Sequence, residues 1–419
     1  MLSRKKRWLP GAWLALAIMI FPIDRQAVVA AEVESLSIGN ALAIAYENNP
    51  ELAASQEEIG IAQGSRRQAG LIPNPTLSWE AEGIRRSKTT ATLLLTQPIE
   101  LGGKRGARIK LAERGQDVAA VGLERKRNLL AAAVIEAFYG ALRAQARLDL
   151  AQQSYALAER GMRVATGRVE SGKSSPMEAT RAQIQLSAIQ LELNEAERLR
   201  TNALRQLSVA MGGSRTEFSH LQGDPQAFPA RPEPSRLLAL LPESVDLRLA
   251  ALQVEQGEAA LALEKSHRIP NLSLSVGTQY EGQNRDRVSV LGVSMPLPLF
   301  DRNQGNVLAA ARRTDQARDL RNATELRLRA ETQQALDLWA TALISVESYE
   351  RQILPSAQKT VDTATRGFQM GKFGFLDVLD AQRTLIAARN QYLQALADVT
   401  GAWVQIVRLY GNATADGQD

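Results

Sequence analysis

The sequence of 419 residues contains no cysteine and only two histidines. Without cysteine the chain can form no disulfide, and no lipidated cysteine can anchor its N-terminus. His220 and His267 are far apart in the sequence, so no transition-metal site is predicted. The sequence shows neither a nucleophile elbow nor a complete phosphate-binding loop, and we therefore expect no cofactor and no enzymatic activity.

Aromatic residues and long apolar runs are also scarce. The chain has 8 Phe, 5 Trp and 7 Tyr, whereas alanine occurs 63 times. After the N-terminal segment no stretch contains 18 consecutive apolar residues, so no transmembrane helix is predicted. A chain rich in small side chains and strong helix formers favours long helices that pack closely along their length. We therefore predict a mostly α fold.

Excess positive charge is confined to the N-terminus. The chain carries 50 basic and 45 acidic residues, a formal net charge of +5, and residues 1–31 hold five of the basic residues and one acidic residue. The near-neutral remainder is a poor polyanion binder, so nucleic acid is not an expected partner. Residues 1–7 include four basic residues, residues 8–21 are mostly apolar and residues 29–31 are small, a pattern typical of a signal peptide. We predict a cleaved signal peptide at residues 1–31; an uncleaved anchor is the alternative.

The rest of the chain contains an internal sequence repeat. Residues 51–75 align without gaps on residues 248–272 with ten identities in 25 positions, and Gly172-Lys173 recurs as Gly371-Lys372. The spacing indicates a tandem duplication of about 200 residues. The predicted units are a first repeat at 32–211, a linker or equatorial segment at 212–235, a second repeat at 236–411 and a C-terminal tail at 412–419.

Each repeat has the same predicted order of elements: a helix, a β-hairpin, a very long helix, a tight turn and a return helix. The predicted first helices span 36–70 and 236–268, the strands 76–82, 89–97, 272–280 and 287–295, and the long helices 106–171 and 305–371. In the third strand Leu272, Leu274, Val276 and Tyr280 share one face and Ser273, Ser275 and Gln279 the other. The fourth strand contains Gly292, and its faces are not assigned.

The four strands are the candidate membrane element. Four strands cannot close a barrel, and open strand edges are not tolerated in lipid. Several chains must therefore share one barrel: two would give eight strands and a filled interior, three would give twelve and a lumen. We favour the trimer. A soluble periplasmic coiled-coil scaffold with two surface hairpins is the alternative.

Four motifs resemble those of TolC-like outer-membrane efflux proteins, and the resemblance covers essentially the whole chain after residue 31. They are residues 36–42 (LSIGNAL) with Asn49-Pro50, the Pro-Asn pairs at 73–74 and 270–271, residues 97–105 (QPIELGGKR) and residues 376–382 (LDVLDAQ). The stretch 97–105 is similar to that of the heavy-metal, CzcC-like branch.

The resemblance implies a homotrimeric passive duct, with a twelve-stranded outer-membrane β-barrel, four strands per chain, above a long periplasmic α-helical barrel. Its lower end would be closable and would dock on a periplasmic adaptor (membrane fusion) protein and an inner-membrane pump of the resistance nodulation division type. Substrates would be divalent heavy-metal cations in the CzcC-like branch, with drug or organic efflux and type I secretion as alternatives. No catalytic site is implied.

The resemblance also places acidic residues of the channel entrance at Asp377 and Asp380. Three residues apart on a helix, they share a face, and three copies would make two carboxylate rings. Alternatively, they are acidic residues that favour a helix N-terminus. The first repeat has Glu178 and Arg181 at the equivalent positions, so the second ring is not repeated there. Phe373 stands where the family has a gating arginine.

The two helix-to-helix turns are the predicted contacts with the adaptor. They contain Gly172 and Lys173 in the first repeat and Gly371, Lys372, Phe373 and Gly374 in the second. Glycine permits the tight reversal. Phe373 and Phe375 either offer exposed apolar surface to a partner or cap the coiled coil internally.

Overall fold

The computed structural model describes residues 35–83, 89–213 and 220–411. The predicted signal peptide, part of the first hairpin turn, part of the linker and the predicted tail lie outside these described residues. The helices are α1 (Ile38–Asn48), α2 (Pro50–Ala69), α3 (Lys104–Glu170), α4 (Pro176–Ala210), α5 (Pro234–Ala239), α6 (Val245–Ser266), α7 (Gln304–Ser348), α8 (Leu354–Gln369) and α9 (Phe375–Tyr410). The strands are β1 (Ser35–Leu36), β2 (Thr76–Glu82), β3 (Thr90–Ile99), β4 (His220–Leu221), β5 (Leu272–Glu281) and β6 (Asp286–Ser294).

The first helix of each repeat is interrupted, so the predicted continuous helices at 36–70 and 236–268 are wrong. In the first repeat the break falls at Asn49, because a residue before proline disfavours the helical conformation. The Asn49 side chain accepts hydrogen bonds from the backbone N–H groups of Glu51 (2.9 Å) and Leu52 (3.1 Å) and so caps α2. In the second repeat a short 3₁₀ turn, Leu241–Glu243, separates α5 from α6.

The two long helices differ in continuity. Helix α3 runs unbroken for 67 residues, about 100 Å at 1.5 Å per residue. The helix predicted at 305–371 is instead divided into α7 and α8 by a π-helical turn, Tyr349–Ile353. Pro355, the second residue of α8, has no N–H to donate to the carbonyl of Arg351 four residues earlier, and a π turn is a common accommodation of such a gap.

In the part of the chain that the structure describes, the helical core consists of three clusters spread along the hairpins. One surrounds Phe138 of α3, one surrounds Trp339 of α7, and the third surrounds Phe368 and Phe375 near the turns. Many of the buried residues are alanines, which lets the helix axes approach closely. One 18-residue window of α3 is apolar enough to cross a membrane by composition alone, but half of it is buried inside the protein, as in core helices of soluble proteins.

The two hairpins join into one antiparallel sheet of order β2-β3-β5-β6. The seam between the repeats is the β3–β5 pair, in which Leu95 lies opposite Val276. The strand positions agree with the predicted ones to within one or two residues. Within the described residues, β2 and β6 are the edges of the sheet and each pairs on one side only.

The sheet has one apolar face and one mainly polar face, and the apolar face is strongly exposed. Its exposed apolar side chains are Leu77, Trp79, Leu93, Leu95, Leu274, Val276, Tyr280, Leu291 and Val293. The predicted alternation in β5 is therefore confirmed. Register also assigns the faces of β6, because Leu291 lies opposite Val276 and Val293 lies opposite Leu274. On the polar face Thr96 and Ser275 hydrogen-bond across the seam at 2.9 Å.

Candidate functional site

The two helix-to-helix turns lie together at one end of the helical part. Arg168, in the last turn of α3, connects them: its Nη1 donates to the Phe368 carbonyl at 2.7 Å and its Nε donates to Ser174 Oγ at 3.0 Å. The guanidinium also lies 4.7 Å from the centroid of the Phe368 ring. Sequence reasoning did not identify Arg168, although its position in the last turn of a helix, where basic side chains are favoured, is a signal that could have found it.

The two turns reverse the chain in the same way. Gly172 has φ of +68° and Gly371 has φ of +74°, the left-handed conformation that favours glycine. The backbone N–H of Lys173 donates to the Arg168 carbonyl and that of Lys372 donates to the Gly367 carbonyl, each at 2.8 Å. This is the Schellman pattern of helix termination. Both glycines and both lysines are exposed, so the turns are accessible to a partner.

The helices that follow the turns are capped differently. In the first repeat Ser175 Oγ accepts from the backbone N–H of Met177 at 3.3 Å. In the second repeat Gly374 occupies the cap position and has no side chain, and Asp377 Oδ2 accepts from the Gly374 N–H at 2.8 Å. The carboxylate of Asp377 therefore stabilises the start of α9, as the helix-terminus interpretation predicts. Because Asp377 is also exposed, capping and an entrance role are compatible.

Asp380 lies one turn further along α9 and is exposed on the same side as Asp377. Val378 and Leu379, between them in sequence, are buried against the hairpins. Among the described residues the Asp380 carboxylate has no hydrogen-bond or ion-pair partner. Glu178 occupies the same helical position as Asp377 but is partly buried, and its Oε2 has no hydrogen-bond partner among the described residues.

The two phenylalanines of the second turn have different environments. Phe375 is 5% exposed, and its ring centroid lies 5.4 Å from that of Phe368, so for Phe375 the internal-packing interpretation is correct. Phe373 is 45% exposed and its ring covers Gly367, where an added Cβ would lie 2.1 Å from Phe373 Cδ2. The free face of Phe373 lines an open groove of about 620 Å³ together with α8 side chains and Asp377.

A second polar cluster lies at the junction of the sheet with the helices. Arg108 holds Glu100 through two hydrogen bonds, Nη1 to Oε1 at 2.6 Å and Nη2 to Oε2 at 3.1 Å. These hydrogen bonds hold the pKa of Glu100 below its usual range. Burial lowers the pKa of Lys104, whose Nζ donates to Asn271 Oδ1. In the described ranges no group of three or more His, Asp or Glu side chains is placed to hold a metal ion.

Comparisons with known proteins agree with this geometry. Residues 41–213 and 238–412 match the sequence profile of the family described as "Outer membrane efflux protein". The chain is 37% identical over 376 residues to the cobalt-zinc-cadmium resistance protein CzcC of Cupriavidus metallidurans, covering 90% of each chain. Among solved structures it resembles CusC (TM-score 0.74, 17% identity, 89% of this chain and 91% of that one). It also resembles the outer membrane protein VceC of Vibrio cholerae (TM-score 0.74, 18% identity, 89% and 96%).

Proposed function

The chain belongs to the outer membrane efflux protein family, and we propose that three copies of it form the passive exit duct of a tripartite efflux system for divalent heavy-metal cations. As in that family, it is an outer-membrane channel with a long periplasmic helical part. Its relatives are efflux channels rather than enzymes. The trimer, the substrate and the partners are the proposed parts.

The observation that carries the proposal is the exposed apolar face of the sheet. Trp79 is 69% exposed and Leu291 81% exposed, in a band formed by all four strands. A contiguous band of this kind is unfavourable in water, whereas apolar-out and polar-in alternation is the pattern of membrane β-barrels. Strands β3, β5 and β6 have nine or ten residues, close to the length needed to cross a bilayer at a tilt.

The open edges of the sheet support the trimer. Strands β2 and β6 each present an unpaired row of backbone groups within the described residues. In lipid each unpaired group costs several kcal/mol, so the edges must pair with other copies. Pairing β6 of one copy with β2 of the next closes a ring, and three copies give twelve strands with a water-filled lumen. The polar face, with Ser78, Thr96 and Gln279, would line that lumen.

The heavy-metal substrate rests on the relationship to CzcC, whose name records cobalt, zinc and cadmium resistance. No metal-binding cluster occurs in the described ranges, so the duct would conduct cations without binding them tightly. The energy for transport would come from an inner-membrane resistance nodulation division pump, coupled through a periplasmic adaptor. We propose that the exposed turns at Gly172, Lys173, Gly371, Lys372, Phe373 and Gly374 contact that adaptor.

We place the entrance of the duct at the end that carries the turns. Asp377 and Asp380 of three copies would surround the axis as stacked carboxylate rings and would favour cations over anions. Glu178 would contribute less, because one of its carboxylate oxygens is buried. In this proposal the acidic pair selects by charge sign only.

The proposal is tested by deleting the gene and measuring tolerance to zinc, cobalt, cadmium and nickel alongside a panel of drugs. We expect lower tolerance to one or more of these metals, restored by the wild-type gene on a plasmid. Loss of drug tolerance with unchanged metal tolerance would instead favour organic efflux. Recovery of the protein only as a soluble monomer would contradict the duct itself.

A further inference from the structure

The junction of sheet and helices contains four short segments. The first and second approach segments, residues 70–75 and 267–271, lead into β2 and β5. The first and second joints, residues 100–103 and 295–303, lead from β3 and β6 into the long helices. Because the chain is duplicated, each approach segment has an equivalent in the other repeat, and so does each joint. Ile72 of the first approach segment aligns with Ile269 of the second.

Inside one chain, the first joint packs against the second approach segment. A Cβ added at Gly102 would lie 2.9 Å from Ile269 Cβ, so the two backbones approach closely and only glycine fits. Just beyond this joint, Lys104 donates to Asn271. The β3–β5 pairing brings these two segments together, since one follows β3 and the other precedes β5.

The equivalent segments, the second joint and the first approach segment, adjoin the two outer edges of the sheet. Within the described residues they do not pack against each other. In the second joint Leu297, Leu299 and Phe300 are 72%, 64% and 91% exposed. In the first approach segment Leu71 and Ile72 are 57% and 65% exposed. Both sets are apolar, and both adjoin an unpaired edge strand.

The first approach segment forms one wall of an open groove of about 880 Å³, which is also lined by Ile61 and Leu111. We propose that the second joint of one copy, led by Leu299 and Phe300, binds in this groove of the next copy. The inference rests on the proposed trimer. Pairing β6 with the β2 of the next copy places the second joint beside the first approach segment, in the same relation that β3–β5 pairing creates within the chain.

Both surfaces are held in shape before they meet. Arg108 donates from Nε to the Ala69 carbonyl (2.9 Å) and from Nη2 to the Leu71 carbonyl (3.1 Å). Arg105 donates to the Gly70 carbonyl at 2.7 Å, so basic side chains of α3 fix the floor of the groove. Preorganised surfaces lose little conformational freedom on binding, which favours a specific contact.

The second joint is equally constrained. The backbone N–H of Leu299 donates to the Leu297 carbonyl at 2.9 Å. The side chain of Gln304 donates to the Phe300 carbonyl at 3.2 Å, and Asn303 Nδ2 donates to the Glu264 carbonyl at 2.8 Å. Phe300 is therefore exposed on an ordered segment rather than on a loose one, as a side chain that fills a partner's groove should be.

The absence of native cysteine allows a direct test by disulfide crosslinking. Ile72 and Phe300 adjoin opposite edges of a four-stranded sheet, about 14 Å apart at three strand spacings. That distance exceeds what a disulfide can bridge, so a bond between them must join two chains. We expect the I72C/F300C variant, oxidised in outer membranes, to give dimers and trimers on non-reducing denaturing gels that revert to monomer with reductant.

Two controls accompany the crosslinking. The single variants I72C and F300C should give no crosslinked trimer. The pair I184C/F300C should give no crosslink either, because Ile184 is 65% exposed but lies on α4 near the turn end of the helical part. A second measurement avoids cysteine: L299A/F300A should lower the dissociation temperature of the trimer by on the order of 10 °C, whereas V276A on the membrane face should not.

The outcomes separate this inference from the proposed function. A trimer in outer membranes that neither crosslinks through I72C/F300C nor loses heat stability in L299A/F300A overturns the inference and leaves the duct intact. The exposed joint would then contact lipid at the membrane boundary. A protein that forms no trimer overturns the proposed function and the inference together. Crosslinked trimer with both controls negative supports the inference.

Discussion

The two helical hairpins descend from one duplicated unit, yet the first is continuous and the second is interrupted. Helix α3 runs for 67 residues without a break, whereas a π turn divides α7 from α8 sixteen residues before the second turn region. The interrupted hairpin is also the one that carries Asp377 and Asp380. The two repeats therefore share one architecture, and the π turn and the pair Asp377 and Asp380 both lie in the second hairpin.

Single substitutions can test the difference in helix continuity between the hairpins. Breaking α3 should lower the stability of the protein more than any other change predicted here. Tyr155 of α3 lies one residue before Ala156, the equivalent of Pro355 at the offset of 199 that relates Gly172 to Gly371. Tyr155→Pro removes a backbone hydrogen bond from an unbroken helix and should destabilise the protein by about 3 kcal/mol or more. Pro355→Ala should change stability by less than about 1 kcal/mol, because the π turn already accommodates the missing donor.

Thermal unfolding of the purified trimers, followed by circular dichroism at 222 nm, measures both changes. Tyr155→Ala separates the loss of the ring from the loss of the hydrogen bond. If Tyr155→Pro were no more destabilising than Tyr155→Ala, the continuity of α3 would not contribute to stability. The continuous and the interrupted hairpin would then not differ in their contribution to stability.

A second comparison is between Gly167 and Gly367, which lie in the last helical turns before the two chain reversals. A Cβ at Gly367 would collide with the Phe373 ring at 2.1 Å, whereas a Cβ at Gly167 would meet nothing within 4 Å. Gly367→Ala should therefore cost roughly 1–3 kcal/mol and loosen the second turn. Gly167→Ala should be neutral or should stabilise α3 by up to about 1 kcal/mol.

Limited proteolysis reports on this pair locally. We expect faster cleavage after Lys372 in Gly367→Ala and unchanged cleavage after Lys173 in Gly167→Ala. Equal cleavage at both turns in the two variants would mean that the Phe373 packing does not order the second turn.

A third comparison separates the two roles of Asp377. Asp377→Asn keeps an oxygen that can accept from the Gly374 N–H, so α9 stays capped while the charge is lost. Asp377→Ala loses both, at a cost of about 0.5–2 kcal/mol. In planar bilayers Asp377→Asn with Asp380→Asn should raise conductance and lower the cation-to-anion permeability ratio by on the order of threefold.

Glu178→Gln is the matched control for the acidic pair. Because the carboxylate of Glu178 is partly buried, Glu178→Gln should leave the cation-to-anion permeability ratio close to that of the wild type. An unchanged ratio in the double asparagine variant would assign Asp377 to helix capping alone. An effect of Glu178→Gln as large as that of the double variant would place the selective charge in the first repeat.

The sequence predicted the sheet better than it predicted the helix breaks, for physical reasons. Alternation in β5 and the Pro-Asn pairs are local signals, and they located the strands closely. The π turn at 349–353 was missed because Pro355 sits in a sequence whose other residues favour helix, and a proline there can either kink the helix or end it. Asn49-Pro50 belongs to the motifs shared with the family, yet the helix break that it causes was not predicted.

The candidate site was predictable in position but not in detail. The repeat and the resemblance located both turns and Asp377, because glycine and acidic residues near helix ends have local causes. Whether Phe375 faces inward depends on which α8 residue lies opposite it, and that is Phe368. The contribution of Arg168 depends on a contact across 200 residues. Such contacts between hairpins are set by three-dimensional packing, which the pattern of one helix does not reveal.

The smallest predicted effect concerns the joints, where the repeats differ in chemistry. The first joint contains the Glu100–Arg108 pair, whereas the equivalents in the second repeat, Pro298 and Leu308, are uncharged. Hydrogen bonds from Arg108 lower the pKa of Glu100 in the folded protein, so this pair stabilises fully above the unfolded carboxyl pKa of about 4.3. Stability is then lost as the pH falls through the lower, folded pKa.

Glu100→Gln should therefore cost about 1 kcal/mol at pH 7 and make the protein less sensitive to acid below about pH 4.3. Trimer dissociation temperatures at pH 7, 5, 4 and 3 would show the wild-type and variant curves converging as the pH falls. Leu308→Ala is the matched change in the second repeat, and it should shift the curve by the same amount at every pH, because no titrating group is removed. Parallel curves for Glu100→Gln and the wild type would show that the pair does not distinguish the first joint from the second.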